Sequence, residues 1–69
     1  MRFPKKLIEK NLWDMVRNSK KIRSGGFVYW VNSTTLEVYA MSEDAWNSGR
    51  INGDLVAVVS DDLTSVTKI

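Results

Sequence analysis

The chain has 69 residues, no cysteine, no histidine and a formal net charge of +2. These numbers exclude reinforcement by disulfides or thiolate-bound zinc, and they remove the side chain that most often acts as a general base near neutral pH. A chain this short buries only ~60% of its unfolded surface. We therefore expect one small domain over residues 1–69, not an enzyme and without a cofactor.

The first ten residues are basic but contain no continuous apolar stretch and no cleavage site typical of a signal peptide. The longest apolar runs, residues 27–31 and 55–59, have five residues each, against the ~20 that a membrane-spanning helix needs. The lack of cysteine fits a reducing compartment. We expect a cytoplasmic protein with no membrane partner.

A long N-terminal helix is predicted over residues 4–23. Pro4 suits the first turn of a helix, and the Gly25–Gly26 pair is a typical stop signal. Apolar residues recur at helical spacing on one side of this segment: Ile8, Leu12, Met15 and Ile22. This periodicity predicts an apolar face directed at a core.

A β-hairpin is predicted next, because residues 27–31 and 36–40 are rich in β-branched and aromatic side chains and flank a turn-prone segment. A two-residue or a four-residue loop gives the same register, with Val31 opposite Leu36, Tyr29 opposite Val38, and Phe27 opposite Ala40. One face of the hairpin is then directed at the helix. The other face carries Val28, Trp30, Glu37 and Tyr39.

Three further elements complete the predicted order. Ser42 is a suitable N-cap for a short helix over residues 43–48, which carries Trp46. Residues 55–59 are apolar on both faces and predict a central strand, and residues 66–69 predict a short edge strand. The order α-β-β-α-β-β indicates an α+β domain, with the long helix on a mostly antiparallel sheet of three to four strands. The alternative is an SH3-like β-barrel with an N-terminal helix.

Charge is unevenly distributed along the chain. Residues 1–30 carry eight cations and two anions, a net charge of +6, whereas residues 31–69 carry two cations and six anions, a net charge of −4. On the predicted helix, basic residues and one tryptophan recur opposite the apolar face: Lys6, Lys10, Trp13, Arg17, Lys20 and Lys21. Such a stripe could bind phosphates while Trp13 stacks on a base or anchors a protein partner. It could equally be a solvated face, paired with the acidic half of the same domain.

The second candidate site is the hairpin face that the long helix leaves free. It carries Val28, Trp30 and Tyr39, and Val56 and Val58 could extend it. Only the short helix with Trp46 is available to cover this face. Either Trp46 forms a lid over a second small core, or an exposed aromatic patch of the kind found at protein interfaces remains, with the candidate interface residues Val28, Trp30, Tyr39 and Trp46.

Catalytic and metal-binding patterns are not evident in the sequence. The acidic pairs at residues 43–44 and 61–62 are adjacent, so their side chains diverge, and neither pair has the spacing of a calcium loop. The serines have no histidine to activate them, and the glycines match no phosphate-binding or dinucleotide-binding motif. We predict no catalytic residue, no metal site and no cofactor site.

These observations favour a non-enzymatic binding protein that modulates or inhibits a protein target by occupying its surface. In size and in its lack of catalytic residues, the chain resembles the small accessory proteins that phages use to inhibit host machinery, a likeness of composition rather than of motif. One alternative is a nucleic-acid-binding module that uses the basic helix. Another is a structural homo-oligomer, for instance a homodimer, that pairs through the aromatic face.

Overall fold

A computed structural model describes residues 3–69 as a helix and a five-stranded antiparallel sheet whose strands are paired in chain order, with a short second helix between the third and fourth strands. The α+β class is therefore confirmed, with one more strand than the largest predicted number. The elements are α1 (Lys5–Arg17), β1 (Ile22–Ser24), β2 (Phe27–Asn32), β3 (Glu37–Ser42), α2 (Glu43–Asn47), β4 (Asp54–Val59) and β5 (Val66–Lys68). None of the helices in this part of the chain is long and apolar enough to span a membrane.

Helix α1 ends at Arg17, six residues earlier than predicted. Ser19 has a φ of 56°, a left-handed conformation that terminates helices. The Lys20 N–H then donates back to the Asp14 carbonyl over 3.2 Å. The predicted apolar face is correct within the true helix, because Ile8, Leu12 and Met15 are all buried.

The Gly25–Gly26 pair forms a hairpin turn rather than a helix stop. It connects β1 to β2, with φ values of 57° and 83°. Two positive φ values in a two-residue loop define the type I′ turn that matches the twist of antiparallel strands. The last residues of the predicted helix, Ile22 among them, are therefore an edge strand paired with β2.

Strands β2 and β3 form the predicted hairpin in a different register. Val31 pairs with Val38 and Tyr29 pairs with Ala40, so each β2 residue meets a partner two positions later than expected. The cause is Leu36, which has a φ of 58° and belongs to the loop. The Asn32 side chain closes this loop by accepting two backbone N–H bonds. Because the displacement is an even number of residues, the two faces of the hairpin have the predicted composition.

Strands β4 and β5 complete the sheet, and β5 is the edge strand that the sequence predicts. The β3–β4 register shifts between Val38 and Tyr39, because β4 carries an extra residue there. At the start of β5, the Glu9 carboxylate accepts a hydrogen bond from the Val66 N–H at 2.9 Å and so connects α1 to β5. Within residues 3–69, β1 and β5 are not paired with each other, so the five-stranded sheet is a curled half-barrel, and the SH3-like β-barrel kept as the alternative is matched only in part.

The main core lies between α1 and one face of the sheet, which we call the inner face. The helix contributes Ile8, Leu12 and Met15, and the sheet contributes Ile22, Tyr29, Val31, Val38, Ala40, Ala57, Val59 and Val66. Phe3 extends the core with an edge-to-face contact to Tyr29, with ring centroids 5.9 Å apart. The opposite side of the sheet is the outer face, and α2 is the element that contacts β2 and β3 there.

Candidate functional site

Three aromatic side chains meet on the outer face and form what we call the aromatic cluster: Trp30, Tyr39 and Trp46. Trp30 and Tyr39 are direct cross-strand neighbours, and their rings stack with centroids 6.2 Å apart and planes inclined by 22°. Trp46 reaches Trp30 from α2, with centroids 5.7 Å apart and an angle of 49°. All three side chains are only half-buried. The cluster is thus packed within the monomer and accessible from solvent.

The position of Trp46 follows from the way α2 begins. The Ser42 hydroxyl accepts a hydrogen bond from the Ala45 N–H at 3.1 Å, which is the predicted N-cap. The Glu43 N–H donates to the Gly26 carbonyl at 2.9 Å and links the start of α2 to the β1–β2 turn. These two bonds hold a helix of only five residues against the sheet.

Val28, predicted to be part of the exposed face, is fully buried. It pairs with Met41, which is also buried, and α2 contacts both of their strands. A small second core therefore exists at this end of the outer face, and Val28 does not contribute to the accessible surface. Trp46 is a partial lid, because it adjoins Trp30 and leaves the aromatic cluster half-exposed.

Gly53 shapes the cluster from the other side, a role that the sequence did not reveal. A Cβ atom at this position would lie 2.5 Å from Cη2 and 2.7 Å from Cζ2 of Trp30. Such distances are far inside carbon–carbon contact, so only a residue without a side chain allows the Trp30 ring to sit here. The asparagine–glycine pair at residues 52–53 indicates a turn, and a turn glycine gives no sign of such a close approach.

A hydrogen bond fixes the orientation of Tyr39. Its hydroxyl donates to Glu37 Oε1 at 2.8 Å. This bond to a carboxylate, together with burial and the negative charge of Glu37, raises the pKa of Tyr39 above its ordinary value. The phenol is therefore neutral at physiological pH, and the ring presents an uncharged surface.

Exposed aliphatic side chains continue the apolar surface beyond the aromatic cluster. Leu55 pairs with Tyr39 and is 42% exposed, and Val58 pairs with Glu37 and is 41% exposed. Ile51, in the segment before β4, is 87% exposed. Val56, in contrast, packs against the main core, because the irregularity in β4 turns it to the inner face. The predicted extension through Val58 is correct, and the one through Val56 is wrong.

An open groove of about 380 Å³ runs beside Trp30 and Trp46. Met41 and Ile51 add aliphatic walls to it, and Lys21 and Arg50 are the two charged residues in its lining. Both cations are exposed. The groove thus combines an apolar floor with two positive charges at its rim.

The basic stripe predicted on the helix is divided in the structure. Lys6, Lys10, Trp13 and Arg17 are exposed on α1, and Trp13 is 60% accessible with the Arg17 guanidinium 4.7 Å from its ring centroid. Lys20 and Lys21 lie beyond the end of the helix. Lys20 donates to the Asn11 side chain, whereas Lys21 lines the groove on the outer face. Four of the six predicted residues therefore share one surface.

In residues 3–69, acidic side chains form no group of three that could hold a metal ion. Comparison of the chain with protein-family models, with curated proteins and with solved structures found no match. The accessible aromatic cluster is the principal feature of the candidate site.

Proposed function

We propose that the protein is a non-enzymatic binding protein that modulates or inhibits a protein target by occupying its surface through the outer face of the sheet. The observation that carries the proposal is the continuity of the aromatic cluster with exposed Leu55, Val58 and Ile51. Large contiguous apolar patches on a protein surface usually mark binding sites.

The arrangement of the patch also supports a protein partner. Tryptophan and tyrosine are the residues that most often dominate binding energy at protein interfaces, and they are most effective when a polar rim excludes water around them. Here the aromatic cluster is central, and charged residues such as Lys21 and Arg50 lie at its border. The packing of Trp30 against Gly53 and Tyr39 fixes the ring before binding, which reduces the entropy lost on association.

The test compares two apolar-to-charged substitutions at positions of equal exposure. Val58→Glu places a charge on the outer face, and Leu7→Glu does the same on α1, where the side chain is 40% exposed against 41% for Val58. Proteins captured from a cell lysate by both the unmodified chain and Leu7→Glu should be absent with Val58→Glu. Circular dichroism melts establish that both variants are folded. Capture of the same proteins by Val58→Glu would contradict the proposal.

A nucleic-acid-binding function through α1 is the second candidate, favoured by the exposed Trp13 with Lys6, Lys10 and Arg17 on the same surface. If these cations bind phosphates, affinity for a single-stranded or double-stranded oligonucleotide falls steeply with salt. Lys10→Ala should then lower the log–log slope by about one unit. Absence of binding at micromolar concentration and low salt would eliminate this candidate.

A further inference from the structure

We infer that the groove beside the aromatic cluster binds an acidic peptide segment that carries one large apolar side chain. The inference rests on the proposed function and specifies the chemistry of the partner. Its basis is the composition of the lining: of the described residues around the groove, Lys21 and Arg50 are charged and both are cations, while Trp30, Met41, Trp46 and Ile51 are apolar.

Charge complementarity is the first argument. The second half of the chain has a net charge of −4, yet this groove receives Arg50 from that half and Lys21 from the basic half. The ion pair described at the start of α2 joins Arg23 Nε to Glu43 Oε1 at 3.7 Å and involves neither Lys21 nor Arg50. Lys21 Nζ donates to the Ser19 carbonyl at 3.0 Å, and this acceptor is neutral rather than anionic. Complementary charges at a rim select a partner and accelerate its association.

The apolar floor is the second argument, and it defines what the acidic segment must carry. A volume of about 380 Å³ lies at the lower end of the range of ligand pockets, ~300–1,000 Å³. Tryptophan rings and aliphatic side chains form most of the wall, so the group that enters must itself be apolar. A leucine or an aromatic side chain beside aspartate or glutamate has both required properties.

The same features disfavour nucleic acid as the occupant. The Trp30 ring already stacks on Tyr39, meets Trp46 and abuts Gly53, so its aromatic contacts are made within the monomer. Single-stranded nucleic acid is bound along a continuous basic track with open aromatic rings. Two cations beside aliphatic walls do not form such a track.

The experiment selects ligands from a displayed library of random twelve-residue peptides, with the full chain as bait. Selected peptides are synthesised, and their dissociation constants are measured by fluorescence anisotropy. We expect enrichment of aspartate and glutamate next to a large apolar residue. Lys21→Glu and Arg50→Glu should each weaken binding at least about fivefold, and Lys10→Glu, the matched control on α1, should leave it unchanged.

A charge exchange separates recognition from structural damage. Peptides in which lysine replaces the acidic residues should lose binding to the unmodified chain and regain it with the Lys21→Glu, Arg50→Glu double variant. Failure of this exchange, with acidic peptides still bound, would overturn the inference.

Other outcomes identify what has failed. The acidic partner would be refuted if the selected peptides are neutral, lose binding to Ile51→Glu and bind Lys21→Glu as well as they bind the unmodified chain. The proposed function would still stand. Peptides insensitive to Ile51→Glu, or a library that yields no binder, would refute the groove as a peptide site, and the Val58→Glu capture experiment then decides the proposed function separately. Displacement of the selected peptides by a twelve-nucleotide oligothymidylate would assign the groove to nucleic acid. A dimer in sedimentation that Ile51→Glu dissociates would assign it to a second copy of the chain.

Discussion

Replacement of Gly53 by alanine tests whether the aromatic cluster is as tightly built as the structure shows. The added Cβ would lie 2.5 Å from Cη2 of Trp30 and 3.2 Å from the Ala40 carbonyl oxygen. Carbon atoms in contact are ~3.5–4.0 Å apart, so the Trp30 ring must withdraw by about 1 Å. Tyr39 and Trp46 adjoin that ring, so the movement disturbs the whole cluster.

Two opposing contributions set the expected magnitude. Overpacking of this kind costs ~1–3 kcal/mol. Gly53 is not one of the described glycines with positive φ, so alanine is tolerated by the backbone and gains ~0.4–1 kcal/mol by restricting the unfolded chain. At the midpoints of the two ranges the net loss in the free energy of unfolding is about 1.3 kcal/mol, and each kcal/mol lowers the melting temperature of a domain this size by ~4–8 °C.

The assay is urea denaturation followed by circular dichroism, performed in two backgrounds. With Trp30 present, Gly53→Ala should be destabilising. In Trp30→Leu, where the distal ring atoms are missing, the same substitution should be neutral or slightly stabilising, and the difference is the coupling energy. A Gly53→Ala variant as stable as the unmodified chain, or an equal loss in both backgrounds, would refute the close approach. If Trp30→Leu does not fold, the indole N–H resonance of Trp30 in the NMR spectrum of Gly53→Ala decides the question. A shift relative to the unmodified chain supports the close approach, and an unchanged position contradicts it.

Three further predictions concern the fold. Leu12→Ala should lower the free energy of unfolding by ~2–5 kcal/mol because Leu12 is buried in the main core. Leu7→Ala, at an exposed position of the same helix, should lower it far less. Equal thermal melts of the two variants would contradict the helix orientation. Ser19→Gly should stabilise by up to ~1 kcal/mol, since it relieves a left-handed φ of 56°, and a denaturation midpoint below that of the unmodified chain would count against it. Hydrogen bonds to Asp62, of which the one from the Ser60 hydroxyl has the largest effect, lower the pKa of this carboxyl. The contribution of the ionised Asp62 to the free energy of unfolding is therefore fully present above the unfolded pKa of ~3.9, and it is lost as the pH falls through the lower folded pKa. Melts between pH 5 and pH 2 should therefore show a shallower acid dependence for Asp62→Asn, and unchanged curves would exclude the effect.

The helix face and the composition of the hairpin faces could be predicted because each depends on a local periodicity. Ile8, Leu12 and Met15 repeat with the helical period, and all three are buried. On the hairpin, alternation assigns Tyr29 to the inner face and Trp30 to the outer face whatever the register. An error of two residues in the pairing therefore left both assignments correct.

The end of α1 could not be predicted because its signals were ambiguous. Ile22 continues the helical repeat that begins at Ile8, so the apolar pattern predicts helix where the chain forms β1. Gly25–Gly26 is compatible with a helix stop and with a type I′ turn. The choice depends on whether β2 has a free edge for another strand to pair with, which is a property of the assembled sheet.

The outer face was predicted only in part, because its accessible surface depends on contacts between distant segments. Val28 is buried because α2 contacts its strand, and Val56 turns inward because β4 carries a bulge. Gly53 meets Trp30 across 23 positions of sequence. No local pattern records such a contact, and a glycine in a turn has a sufficient explanation without it.

The division between packed and exposed residues on this face makes stability and binding separable. Trp30 contributes to both, because Gly53 and Tyr39 support its ring while the groove leaves part of it accessible. Gly53→Ala should therefore lower stability and also reshape the groove. Ile51, at 87% exposure, has little to lose on unfolding, so Ile51→Glu should change binding alone. If the proposed function is correct, the two variants differ in their melting curves and agree in their loss of binding, a pattern that a purely structural role for the aromatic cluster would not produce.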